Sequence, residues 1–403
     1  LTLEAAQQHA VVASRNLAAK EHAAQASREM AVSARQLPDP VLSVAIDNLP
    51  VDGPDRYSLT RDFMTQRRVG LSQELTRGDK RRLRAERYER QAARSEEEKQ
   101  AVIAEIQRDT AIAWLERYYA EAMAQVLAEQ AQEARLEIEG AEAAYRGGRG
   151  SQADVYAARS VLATVEDRVS DIKRRVAAAR IMLARWTRDN PDTALGGRPD
   201  IDRVSLVPAD LDGQLLHHPQ NRVLMREQEL AATEANLARA DKKADWSVEL
   251  AYQQRGAAYS NMVSIGLSVP LQWNQNRRQD RELASKLAAV EQVRAEADEA
   301  LREHVTEARL LLDEWESKRE RAGRYHRELL PLAQARTQAA LGAYRGGKGG
   351  LADVLAARRG EIETRLQALQ LEAETARLWA QLNFLAPAGA TAAPDTPASG
   401  SGQ

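Results

Sequence analysis

The 403-residue sequence carries 57 Lys and Arg against 59 Asp and Glu, a net charge of -2, which argues against a nucleic-acid binder working through a global basic field. Cysteine is absent, so thiol catalysis, Cys-ligated zinc, iron–sulfur clusters and disulfides are excluded. Aromatic residues make up 4 % and charged residues 29 %, a balance that suits long helices or coiled coils better than a compact enzyme core.

The chain opens at Leu1-Thr2-Leu3-Glu4 as an amphipathic helix without a signal-peptide pattern, as a mature or trimmed form would. No run of about 18 apolar residues follows anywhere, so no transmembrane helix is expected. Val41–Asp47 then alternates, with Leu42, Val44 and Ile46 on one face. After a polar, turn-prone connection at 48–66, a second alternating run places Val69, Leu71 and Leu75 on one face. A period of two predicts strands. Proline is absent from Gly78 to Asn190, and the spacing of helix formers predicts a helix over about 79–145, roughly 100 Å at 1.5 Å per residue. Such a helix cannot bury its apolar stripe alone and calls for coiled-coil partners. Two more strands follow. Trp246, Val248, Leu250 and Tyr252 share one face of the third, and Val263, Ile265, Leu267 and Val269 one face of the fourth, with the connection at 254–261. From Gln272 to Ala386 only Pro331 interrupts a second helical tract.

The two halves repeat each other. Ala144-Tyr145-Arg146-Gly147-Gly148-Arg149-Gly150 recurs as Ala343-Tyr344-Arg345-Gly346-Gly347-Lys348-Gly349, and both copies continue into Ala-Asp-Val and Ala-Ala-Arg. Upstream, Gly70-Leu71-Ser72 recurs as Gly266-Leu267-Ser268, each followed by an Arg-Arg pair. A near-constant offset over most of the chain marks tandem duplication. The expected division is a first repeat at 1–187, a linker at 188–210, a second repeat at 211–385 and a disordered tail at 386–403. Each repeat reads helix, strand, strand, long helix, Gly-rich turn, helix.

Two hairpins give four strands, too few to close a membrane barrel, which needs about eight. The third and fourth strands nevertheless pair an apolar face with an opposite face of Ser247, Glu249, Ala251, Ser264, Gly266 and Ser268. That pattern fits lipid outside and a watery lumen inside. Three chains would supply twelve strands and close the edges.

On these features the sequence resembles the TolC-like outer-membrane factor family. The carrying residues are the duplicated halves, the hairpin in each, and the Tyr-x-x-Gly-x-x-x-x-x-Asp-Val turn at Tyr145, Gly148, Asp154, Val155 and at Tyr344, Gly347, Asp353, Val354. Leu37-Pro38-Asp39-Pro40-Val41-Leu42, with Asp47-Asn48-Leu49-Pro50, looks most like the heavy-metal-efflux branch of the CzcC and CusC type. The resemblance implies a mainly α protein with a small β part: long α-helical hairpins forming a coiled-coil α-barrel, and four strands per protomer in a twelve-stranded trimeric transmembrane β-barrel. It further implies a homotrimer in the outer membrane of a Gram-negative bacterium, contacting outer-membrane lipid. The implied partners are a periplasmic adaptor (membrane fusion) protein and an inner-membrane RND-type pump. The activity so implied is a passive efflux duct for heavy-metal cations, with drugs or other small molecules as the alternative cargo. A soluble coiled-coil scaffold is the reading from another class, and it has no use for lipid-compatible strands.

Within that resemblance the Gly-rich turns become periplasmic tips. Asp154 and Asp353 match the family's tip aspartates beside Tyr145 and Tyr344. Gly147, Gly148, Gly346 and Gly347 form the adaptor-contact turn. In some members an Arg on the second-copy turn ties the tip shut. Gly349 holds that place here, leaving Arg146, Arg149, Arg345 and Lys348 to supply the cations. The simpler alternative makes each Asp a cap of the helix that follows. The remaining candidates read as structural. Only His217 and His218 are adjacent among six histidines, and they read as a solvated helix start before Pro219. The basic run Arg77, Lys80, Arg81, Arg82, Arg84 and Arg87 is interspersed with Asp79, Glu86 and Glu89 and reads as a solvated helix face. No catalytic constellation, cofactor motif, metal-ligand cluster or nucleic-acid surface stands out.

Overall fold

The computed structural model describes residues 1–385; the tail expected at 386–403 lies outside the described residues. In chain order the elements are α1 (Leu3–Ala13), α2 (Arg15–Ala34), β1 (Val41–Asp47), β2 (Gln66–Leu75), α3 (Gly78–Arg146), α4 (Gln152–Thr187), α5 (Leu211–Leu216), α6 (Pro219–Asp241), β3 (Trp246–Gln254), β4 (Met262–Ser268), α7 (Gln279–Arg324), α8 (Leu330–Arg345) and α9 (Leu351–Asn383). The fold is mainly α with one small sheet. It divides into two compact units. One comprises Leu1–Ala18, Lys99–Pro219 and the chain from Leu301 onward; the other comprises Ala19–Glu98 and Gln220–Ala300.

The first unit is built on heptad-like stripes. Val155, Ala158, Val165 and Ile172 recur along α4, and Val305, Ala308, Leu312 and Trp315 along α7, the periodicity that packs helix against helix. Its main core joins Trp114, Leu115 and Tyr119 of α3, Leu183 of α4, Leu312 and Trp315 of α7, and Trp379 and Leu382 of α9. Each large apolar side chain buried this way contributes about 1.5–3 kcal/mol. The segment between α4 and α5 is held onto this core. The Trp379 indole donates to the Arg203 carbonyl at 2.7 Å. The buried Arg117 donates to the Thr193 carbonyl at 2.7 Å and meets Glu121 at 3.0 Å.

Pro331 does not break the second helical tract. A π-turn at Tyr325–Leu329 precedes it and α8 starts at Leu330. Proline cannot donate to a carbonyl one turn back and its ring crowds that turn, so the helix widens locally instead of ending. The turn carries His326 to Glu372 of α9, a carboxylate that also meets Arg198 at 3.1 Å.

The second unit carries a four-stranded antiparallel sheet in the order β1-β2-β3-β4. The two hairpins therefore meet through β2 and β3, with Leu71 opposite Leu250 and Val69 opposite Tyr252. β1 and β4 are the edges. β2 begins at Gln66, earlier than the apolar alternation indicated, because Arg67 and Arg68 pair with Gln254 and Gln253 in register without adding to the apolar pattern. β4 stops at Ser268, so Val269 lies just past the strand rather than in it. Beyond the strands the two hairpin loops touch: a Cβ on Gly256 would lie 1.9 Å from the Thr60 carbonyl oxygen, so only glycine fits there.

The basic run at the start of α3 is not wholly solvated. Lys80 is 4 % exposed and its ammonium lies 3.5 Å from Asp241 and 2.8 Å from Asp245. The backbone amide of Arg77 donates to the other Asp245 oxygen at 2.9 Å.

Candidate functional site

Two regions hold the residues singled out above, one in each unit. In the sheet, the register stacks like with like across all four strands. Leu42, Leu71, Leu250 and Ile265 form one row, and Val44, Val69, Tyr252 and Val263 the next. The rows share a face, because alternate residues point to opposite sides. That face is open within the chain: Ile265 is 79 % exposed, and Leu42, Val44, Trp246, Leu250, Tyr252, Val263 and Leu267 are all exposed as well. Val248, placed on the same face, is half-buried. Contiguous apolar surface of this kind is foreign to a soluble monomer.

The opposite face is mostly small and polar, with Val41 and Met262 on it at the edge strands. Its central row is Ser43, Gly70, Ala251 and Ser264, flanked by a row with Ser72, Glu249 and Gly266 and a row with Ala45, Arg68 and Gln253. Arg68 and Glu249 form an ion pair, and the Gln253 amide donates to the Ser264 hydroxyl. The sequence placed Glu249, Ala251, Ser264 and Gly266 here; it gave no sign of Arg68 as the partner.

In the other unit, the two Gly-rich turns fold alike. Gly148 and Gly347 take positive φ, 71° and 69°, the conformation that closes a helix C-terminus and favours glycine. The Gly148 amide donates to the Tyr145 carbonyl and the Gly347 amide to the Tyr344 carbonyl, both at 3.0 Å. Around them Ala141, Val155 and Ala158 of the first hairpin pack with Leu351, Val354 and Leu355 of the second. Tyr344 joins this cluster while Tyr145 stays exposed, so the duplicated residues are not equivalent in place.

Asp154 and Asp353 are each tied to the start of their own helix. Ser151 is the N-cap of α4 and Asp154 sits three residues on: the Asp154 amide donates to the Ser151 hydroxyl oxygen at 3.2 Å, and the Ser151 amide and hydroxyl both donate to the Asp154 carboxylate at 2.8 Å. The Ser151 backbone amide, then its hydroxyl, holds the Asp154 carboxyl below the usual carboxylate range. In the second copy Gly350 stands where a capping serine would, and only its amide reaches Asp353, at 3.2 Å. Arg146, Arg149, Arg345 and Lys348 are exposed, and among the described residues none pairs with either aspartate. Ionic contacts between the hairpins run elsewhere. Arg358 of α9 meets Glu133 and Glu137 of α3, and Arg168 meets Glu363 at 3.2 Å. Burial raises the Glu137 carboxyl beyond what Arg358 offsets.

The adjacent histidines do not act together. His217 is exposed at the end of α5, whereas the His218 ring lies against His304 of α7 with centroids 5.5 Å apart. The solvated reading therefore fails for His218: burial, then the neighbouring His304, pushes its pKa down to about 4 against a hydrogen bond to the Leu385 backbone. Nothing in the local sequence links residues so far apart. Among the described residues no group of three or more His, Asp or Glu side chains is placed to hold a metal ion, and no helix is long and apolar enough to cross a membrane.

No known family model matches the chain, and no curated protein matches it in sequence. Its fold has clear counterparts among solved structures. The outer-membrane channel OprN superposes with a TM-score of 0.78 at 17 % identity, over 96 % of this chain and 90 % of that one. CusC, solved in a study of its folding and transmembrane channel formation, gives 0.81 at 17 % identity, over 95 % and 92 %. The outer-membrane protein VceC of Vibrio cholerae gives 0.75 at 19 % identity, over 95 % of both chains. At these identities the likeness is one of fold, across nearly the whole length.

Proposed function

We propose that the chain is the outer-membrane channel of a tripartite efflux system: a passive homotrimeric duct, not an enzyme, set in the outer membrane of a Gram-negative bacterium. The observation that carries this reading is the sheet. It has one exposed apolar face, one polar face and two unpaired edges, β1 and β4. In lipid each unsatisfied backbone group costs several kcal/mol, so open edges cannot persist there. Pairing β4 of one copy with β1 of the next closes a barrel at three copies with twelve strands, apolar outside and polar within. The fold shared with outer-membrane channels supports the same reading.

In this reading the Gly-rich turns are the periplasmic tip, meeting an adaptor through Gly147, Gly148, Gly346 and Gly347, with an RND-type pump behind it. Asp154 and Asp353 bring six carboxylates toward the trimer axis, where like charges favour entry of cations. The cargo we infer is heavy-metal cations, on the resemblance at Leu37–Leu42 and Asp47–Pro50.

Site-directed spin labelling tests the barrel. Labels at Ile265 and Ser264, in proteoliposomes, should answer to lipid-soluble and water-soluble relaxers respectively. The reverse pattern would overturn the assignment of faces. For cargo, deleting the gene should raise sensitivity to metal salts and leave drug sensitivity unchanged; the converse would assign the duct to drugs.

A further inference from the structure

The polar face of the sheet spans five rows, and within its three central rows the charged residues are Arg68 and Glu249. They stand one row to either side of the Gly70–Ala251 row, so their ion pair crosses it diagonally. The crossing needs a bare floor. A Cβ on Gly70 would lie 3.2 Å from a Glu249 carboxylate oxygen and 2.7 Å from the Ser43 hydroxyl, and Ala251 beneath the pair is 1 % exposed. Gly266, beside Glu249 on β4, keeps the other flank low. Small residues thus let two long charged side chains lie flat along the wall, each only about one-third exposed (32 % and 38 %). The remaining acidic groups of this face, Asp47 and Glu74, sit in its end rows.

We propose that Arg68 and Glu249 are the charge-setting pair of the barrel's inner wall, with Arg68 cancelling and pinning Glu249 so that mid-barrel the duct has little charge preference of its own. The inference rests on the trimeric-duct reading. Three copies place three such pairs at one height. The field of a tight pair falls off steeply, whereas three like charges left uncompensated add on the axis, over a Debye length of about 10 Å at 0.1 M salt. Selection by charge then belongs to another level of the duct, and this ring keeps the barrel from opposing it.

The test is reversal potential in planar bilayers under a potassium chloride gradient, with trimer content checked for each variant. Arg68→Gln should raise the cation-to-anion permeability ratio by at least about twofold, and Glu249→Gln should lower it by a similar factor. The double variant should return to the wild-type ratio. Single variants that leave the ratio unchanged, or that both shift it in the same direction, overturn the pair's role while leaving the duct reading intact. A wild-type chain that forms no conducting trimer overturns the duct reading itself, and this inference with it.

Discussion

The Lys80 ammonium lies 2.8 Å from the Asp245 carboxylate, joining the first turn of α3 to the residue immediately before β3. The lysine is almost wholly buried, and the same carboxylate accepts the Arg77 amide. One ion pair thus fixes where β2 hands over to α3 and where β3 begins, the two central strands of the sheet. Burial acts to raise the Asp245 carboxyl, but hydrogen bonds from Lys80 and the Arg77 amide, with the Lys80 and Arg84 charges, outweigh it and hold it below the usual range.

Without Lys80, Asp245 loses its strongest partner but keeps the Arg77 amide, so Lys80→Met should cost about 1.5–3 kcal/mol, read as a lower midpoint in thermal unfolding of the detergent-solubilised protein. The Asp245 contribution is fully present above the unfolded carboxylate pKa of about 3.9 and is lost as pH falls through its lower folded value. An unchanged midpoint would mean the pair is incidental.

Asp154 and Asp353 separate a gating role from a capping role. In the double variant Asp154→Asn with Asp353→Asn, stability should fall by less than about 1 kcal/mol, since asparagine also serves at helix starts. Cation selectivity and block by divalent cations in planar bilayers should both weaken. A folded double variant with unaltered selectivity would reduce both residues to the capping bonds already visible at Ser151 and Gly350.

His218 gives the helical unit an acid-labile point. With a folded pKa of about 4 against about 6.5 unfolded, the unfolded chain binds the extra proton first. Stability is full above pH 6.5 and declines as pH falls toward 4, by roughly 3 kcal/mol at most. His218→Asn should flatten that part of the stability–pH curve, measured by thermal unfolding from pH 7 to 4. A slope equal to the wild type would place the acid sensitivity elsewhere.

What the sequence revealed follows from where the physics is local. The strands at Val41–Asp47 and Trp246–Gln254 announced themselves because alternation is a property of neighbours. The paired turns at Gly148 and Gly347 did so because a positive φ favours glycine and the duplication printed it twice. Lys80 looked like one more charge on a solvated face, since its partners Asp241 and Asp245 stand far along the chain. His218 was read beside His217 when its true neighbour is His304. Arg68 was hidden for the same reason, its partner Glu249 lying on the other hairpin. The second tract read as helix despite Pro331, but the π-turn before it that absorbs the ring was not legible.

The central claim is that one chain cannot finish the sheet and three can. Light scattering on the protein purified in mild detergent, with the detergent contribution subtracted, tests it most directly. The account predicts a protein mass of three chains per particle, unchanged on dilution. A stable particle holding a single chain would contradict it.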